Sequence, residues 1–99
     1  MALFAITFRI HDDHTYSDRY QSVVAAIKVA AEGNYWDEPT SFFLIENSSS
    51  SSELATKIDT NSIFSASKDL LLVINLSSKG YAALGKVTDN DLHSLMKKR

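Results

Sequence analysis

LFAITFRI, running from Leu3 to Ile10, is the stretch whose reading decides the fold. Phe4, Ile6, Phe8 and Ile10 recur at the two-residue period of a strand, while Ala5, Thr7 and Arg9 fall on the opposite side. One face requires a core and the other is half apolar, which predicts the central strand of a small sheet. Directly after it, His11-Asp12-Asp13-His14 is the densest run of titratable groups in the chain, placed where strand gives way to helix.

Outward from this strand, Thr15 is the expected N-cap of a helix, with Asp18 three residues on in capping-box spacing and favourable to the helix dipole. Tyr16, Tyr20, Val23, Val24, Ile27 and Ala31 then recur at helical spacing, and Gly33 supplies the expected C-cap. That predicts an amphipathic helix of about five turns laid on the apolar face of the sheet. Asn34 to Thr40, with two aromatics and the only proline, reads as a short edge strand or turn. Ser41 to Glu46 (SFFLIE) is apolar on both faces, as an interior strand is.

A polar loop with five consecutive serines follows, and Ser50 with Glu53 repeats the capping-box spacing ahead of Leu54, Ala55 and Ile58, predicting a second, shorter helix. Asn61 to Lys68 reads as a turn region in which Ile63 and Phe64 tuck under the sheet. Leu70 to Leu76 (LLLVINL) is the most hydrophobic run and reads as a strand. Gly80 to Val87 carries a further short strand. Thr88-Asp89-Asn90-Asp91 opens a last helix through Leu92, Leu95 and Met96, which closes on Lys97, Lys98 and Arg99 in the charge order that suits a helix dipole.

The element order is β-α-β-β-α-β, that of an α+β ferredoxin-like sandwich: an antiparallel sheet with two helices on one face, plus a C-terminal short strand and helix. At 99 residues the expectation is one domain, 1–99. The other face of such a sheet would expose Ala5, Thr7 and alternate residues of LLLVINL, an apolar patch that monomers seldom tolerate. A homodimer packed sheet against sheet is therefore expected, with Gly80 to Val87 pairing onto the partner's edge.

Composition narrows the function classes. The chain has no cysteine, which excludes disulfides, Cys-ligated zinc and thiol catalysis. Its longest apolar runs fall far below the roughly 18 residues of a membrane span, and Met1 to Ile10 lacks the marks of a signal peptide. The expected location is the cytoplasm, with no membrane partner. A net charge of −2 gives no general attraction to a phosphate backbone, so nucleic-acid binding requires a local patch. No P-loop, GxGxxG, HExxH, GxSxG or zinc pattern is present.

FAITFRIHDD, the helix TYSDRYQSVVAAIK, the segment YWDEPTSFFLIEN and KDLLLVINL followed by GYAALGKV together resemble the SinR-family proteins, small relatives of the smaller CRISPR adaptation nuclease subunit. The resemblance covers nearly the whole chain. It implies a dimer that binds RNA or DNA and, in some relatives, cleaves it with Mg²⁺ or Mn²⁺ held by acidic residues near the end of the first strand. The aspartate which those enzymes carry there coincides with Arg9 in this chain, and Asp12 and Asp13 lie a few residues later.

Two classes of function stay open. In the first, the chain is nucleic-acid-associated: Asp12 and Asp13 are the candidate metal ligands and catalytic carboxylates, since hard cations take carboxylate oxygens, and Arg9, His11 and His14 are candidate phosphate contacts. In the second it is a non-catalytic homodimeric protein-interaction or regulatory module. Arg9 also has a structural reading as the cross-strand partner of Glu46, and Tyr35 and Trp36 could stack bases or fill the sheet edge.

Overall fold

The computed structural model describes residues 1–99. The chain order is β1 (Ala2–Arg9), α1 (Tyr16–Ala30), β2 (Tyr35–Trp36), β3 (Phe42–Asn47), α2 (Ser51–Thr60), β4 (Leu70–Asn75), β5 (Tyr81–Gly85) and α3 (Asp91–Met96). The five strands form one antiparallel sheet in the order β2-β3-β1-β4-β5, with β1 at its centre. Without β5 and α3 this is the ferredoxin-like sandwich expected from the sequence. The inner face of β1 contributes Phe4, Ile6 and Phe8, which pack with Val23 and Ile27 of α1, Leu54 and Ile58 of α2, and Leu71 and Val73 of β4 into one core.

The second helix starts as its sequence dictates. The Ser50 hydroxyl accepts from the Glu53 amide at 3.1 Å while the Glu53 carboxylate accepts from the Ser50 amide at 3.0 Å, so two otherwise orphaned donors are satisfied. The first helix does not follow its expected caps. Thr15 stands at the N-cap position without capping through its side chain, because its hydroxyl is drawn to Asp13 and Arg19 instead. At the other end the helix stops at Ala30 with Ala31 as its C-cap, two residues before Gly33. Ala31 leaves in an extended conformation, which turns the chain toward β2 without a left-handed residue. In the turn after α2, Phe64 is buried as expected but Ile63 points outward.

Gly80 to Val87, expected at a partner's edge, forms a strand of its own chain's sheet. Tyr81–Gly85 pairs with β4 of the same chain, Ile74 opposite Tyr81 and Leu70 opposite Gly85. The reason is local. Asn75 Oδ1 accepts the amides of Ser77 and Ser78 at 2.8 and 3.0 Å, folding the connection back on itself. A loop this short costs far less closure entropy than a second chain would.

On the far side of β5 the chain turns back, so that α3 lies over the outer face of β4 and β5. Tyr81 and His93 share a 2.7 Å hydrogen bond, and the Arg99 guanidinium donates to the carbonyls of Asn75, Lys79 and Gly80. No residue of α3 is buried. The helix therefore sits on the sheet as a ridge rather than as part of the core.

Candidate functional site

Two places were singled out by the sequence: the acidic run after β1 and the outer face of the sheet. At the first, the charges are already engaged. Arg19, on α1, is 5% exposed and Asp69, immediately before β4, is fully buried. The Arg19 Nε donates to Asp69 Oδ2 at 3.2 Å, its Nη1 to Asp13 Oδ1 at 2.9 Å, and its Nη2 to the His11 carbonyl at 2.7 Å. Asp69 further accepts the amides of His11 at 2.8 Å and Ser65 at 2.9 Å. Lys68 Nζ closes on the second oxygen of Asp13 at 3.1 Å. The network clamps the end of β1, the start of α1 and the start of β4 together.

Electrostatics follow from that geometry. The Arg19 guanidinium first, then the Thr15 amide, hold the Asp13 carboxyl well below the ordinary carboxylate range, and Lys68 adds to the effect. Burial pushes the Asp69 carboxyl up, but the His11 and Ser65 amides and Arg19 outweigh it and keep the group below its ordinary value. Arg19 is correspondingly raised, chiefly by Asp13 and then by Asp69. Both carboxylates are ionised and both already have cationic partners. Asp13 is thus a clamp residue in this arrangement, while Asp12 is exposed and takes no part in it.

His11 and His14 lie at the surface on the same turn. His11 contributes its backbone amide and carbonyl to the clamp, not its imidazole. No group of three or more His, Cys, Asp or Glu side chains is placed to hold a metal ion. Arg9 does not pair with Glu46: the residue opposite Glu46 on β1 is Leu3, at the other end of the strand, and Arg9 stands opposite Leu70.

Sequence reasoning missed Arg19 and Asp69, although a signal for Arg19 existed. Arg19, Val23, Ala26, Ile27 and Ala30 are the buried residues of α1, and they follow the helical i, i+4, i+7, i+8, i+11 pattern. A cation on an apolar stripe requires a buried anion. Nothing in the sequence identified that anion as Asp69, which is 50 residues away.

The outer face is the second place. By the alternation of the strands it carries Leu3, Ala5, Thr7 and Arg9 from β1, Phe42, Leu44 and Glu46 from β3, and Leu70, Leu72 and Ile74 from β4. Trp36 of β2 stands beside Leu44 and meets the Phe42 ring edge-on at 6.3 Å between centroids. The two halves of this face differ. Over β4 and β5, α3 forms a roof above a cavity of about 350 Å³, where Arg9 and Lys86 share the wall with Leu72 and Leu92. Over β2 and β3 no helix covers the sheet, and Leu3, Trp36, Leu44 and Glu46 line an open groove of about 260 Å³. Leu3 is 40% exposed and Trp36 44%.

No protein family, curated protein or solved structure matches this chain. An apolar half-face flanked by a helical ridge is suited to binding another macromolecule through shape and burial, and the clamped carboxylates at the end of β1 are suited to holding the fold. No helix is long and apolar enough to cross a membrane.

Proposed function

We propose that this chain is a non-catalytic homodimeric interaction module that uses the outer face of its sheet as its docking surface. The observation that supports this reading is the open groove of Leu3, Trp36 and Leu44 beside the α3 ridge. Leu3 and Trp36, 40% and 44% exposed, present apolar surface there, and burying it gains roughly 25 cal/mol for each Å² removed from solvent. The clamp of Asp13, Arg19 and Asp69 has in this reading a structural task only.

The test is the molar mass in solution. Sedimentation equilibrium of the wild type is expected to give twice the 11.0 kDa chain mass at micromolar to millimolar concentration. Leu44→Glu, which places a charge in the groove without touching the core, is expected to weaken self-association by at least about tenfold, the equivalent of about 1.4 kcal/mol. A wild type that stays at the chain mass throughout overturns the reading.

A second reading, nucleic-acid association, is favoured by one observation: five of the ten lysines and arginines lie in the last 21 residues, among them Lys97, Lys98 and Arg99. Under that reading the SinR-like resemblance extends to RNA or DNA binding, with Arg9, Lys86 and the end of α3 as phosphate contacts. Cleavage with Mg²⁺ or Mn²⁺ at Asp12 and Asp13 would require the ion to displace Lys68 and Arg19 from Asp13. Anisotropy of labelled single-stranded RNA and duplex DNA is expected to rise with added protein at low salt, and the association constant it yields to fall linearly with salt on a log–log plot. Lys97→Gln with Lys98→Gln is expected to reduce that slope by up to about 2. No binding at low salt excludes this second reading.

A further inference from the structure

We infer that two copies of this chain associate about a two-fold axis running along β1, each inserting its α3 ridge into the other's β2–β3 groove. This rests on the reading that the outer face is where chains meet, and adds which surfaces touch. The strand order β2-β3-β1-β4-β5 puts two strands on either side of β1. On one side the outer face is raised by α3, and on the other it is hollow. For face-to-face packing, a two-fold axis across the strands would set ridge against ridge. An axis along the strands sets each ridge over the partner's hollow. Isologous contact of this kind is the usual symmetry of a homodimer.

The heights along the strands also agree. The chain of α3 runs antiparallel to β5, from Asp91 near the Gly85 end to Arg99, whose guanidinium reaches the carbonyls of Asn75 and Gly80. Rotation about a strand-parallel axis preserves height. Leu95, 61% exposed, lines the α3 cavity with Leu70 and Leu72, which stand opposite Arg9 and Thr7, so the same rotation sets it toward the partner's Phe42 and Leu44 rows. Lys97 and Lys98, one turn lower, come to the level of the partner's Glu46, which lies opposite Leu3 near the start of β1. Leu95 against the partner's β3 side supplies burial, Lys97 and Lys98 against Glu46 at the rim supply register, and Arg9 of each copy lies beside the upper end of the axis.

The chain contains no cysteine, so single introduced thiols report unambiguously. Leu95→Cys and Leu44→Cys are prepared separately, checked for native circular dichroism and wild-type molar mass, then oxidised alone and as a mixture. The two Leu95 positions of a dimer lie on opposite sides of the axis, as do the two Leu44 positions. The mixture is expected to form the mixed disulfide about tenfold or more faster than either variant alone forms its own, because only the mixed pair is held at high effective concentration. As a second variant pair, Lys97→Glu with Lys98→Glu is expected to weaken the dimer and added Glu46→Lys to restore it. A stable dimer with no preferred mixed disulfide and no charge-swap rescue overturns this geometry while leaving outer-face association intact. Dimerisation through the open edge of β5 would give that result. A wild type that remains at the chain mass overturns both.

Discussion

Asp69→Ala is expected to destabilise the domain by about 3–5 kcal/mol, the cost of removing one partner from a buried, hydrogen-bonded ion pair. The size follows from what the substitution strands. Asp69 is fully buried, and its loss leaves the Arg19 guanidinium without its innermost counter-charge and the His11 and Ser65 amides without an acceptor. Against a total stability of about 5–15 kcal/mol for a domain of this kind, that is a large fraction. The midpoint of thermal unfolding should fall by at least about 12 °C. Lys68→Ala is the contrast: its ammonium is half exposed in its pair with Asp13 and is expected to matter by no more than about 1 kcal/mol. Chemical denaturation of the two variants beside wild type measures both.

The same carboxylate fixes a pH dependence. Asp69 has an ordinary value of 3.8 and a folded value below it, so the unfolded chain takes up the proton first as pH falls. Its contribution to stability is fully present above the ordinary value and is lost as pH falls through the lowered, folded one. Asp13 is shifted in the same direction and adds to the effect. Wild-type stability should therefore decline on the acid side of about pH 4, and Asp69→Asn should flatten that limb.

Gly85→Ala is expected to cost about 2–6 kcal/mol. Gly85 has φ of +92°, a conformation that costs a residue with a side chain about 1–3 kcal/mol. A Cβ built there would also stand 2.0 Å from the Asp69 carbonyl oxygen, and opening that contact costs about 1–3 kcal/mol more. The oxygen is not free to move, since it accepts the Lys86 amide at 2.8 Å and belongs to the residue that anchors Arg19. The glycine lets β5 pass close to the start of β4 while the clamp stays shut. Gly33→Ala is the control: a Cβ there meets only the flexible end of Glu46 at 3.5 Å, and stability should stay within about 0.5 kcal/mol of wild type.

How far the sequence carries these conclusions differs from element to element. The alternation of LFAITFRI correctly separates Phe4, Ile6 and Phe8, which are buried, from Leu3 and Arg9, which are not. Ser50 and Glu53 specify their cap because both partners lie within one turn. Reading fails where the deciding partner is distant. Asp13 looks like a free carboxylate beside His14, yet its cations are Arg19, six residues on, and Lys68, 55 residues on. Gly80 to Val87 reads as an exposed apolar strand that needs a partner, and Asn75 supplies the turn that lets β4 be that partner. The hollow over β2 and β3 is legible in neither segment alone, since it depends on α3 lying over β4 and β5, on the other side of β1.

Trp36 is the only tryptophan in the chain and stands in the hollow, 44% exposed in the single chain. Its fluorescence therefore reports on the outer face directly. Emission spectra recorded from nanomolar to millimolar protein, with molar mass measured on the same samples, are predicted to shift to the blue along the same curve as the mass rises from 11.0 kDa to twice that value. Emission that stays unchanged while the mass doubles, or a mass that never leaves 11.0 kDa, would contradict the account.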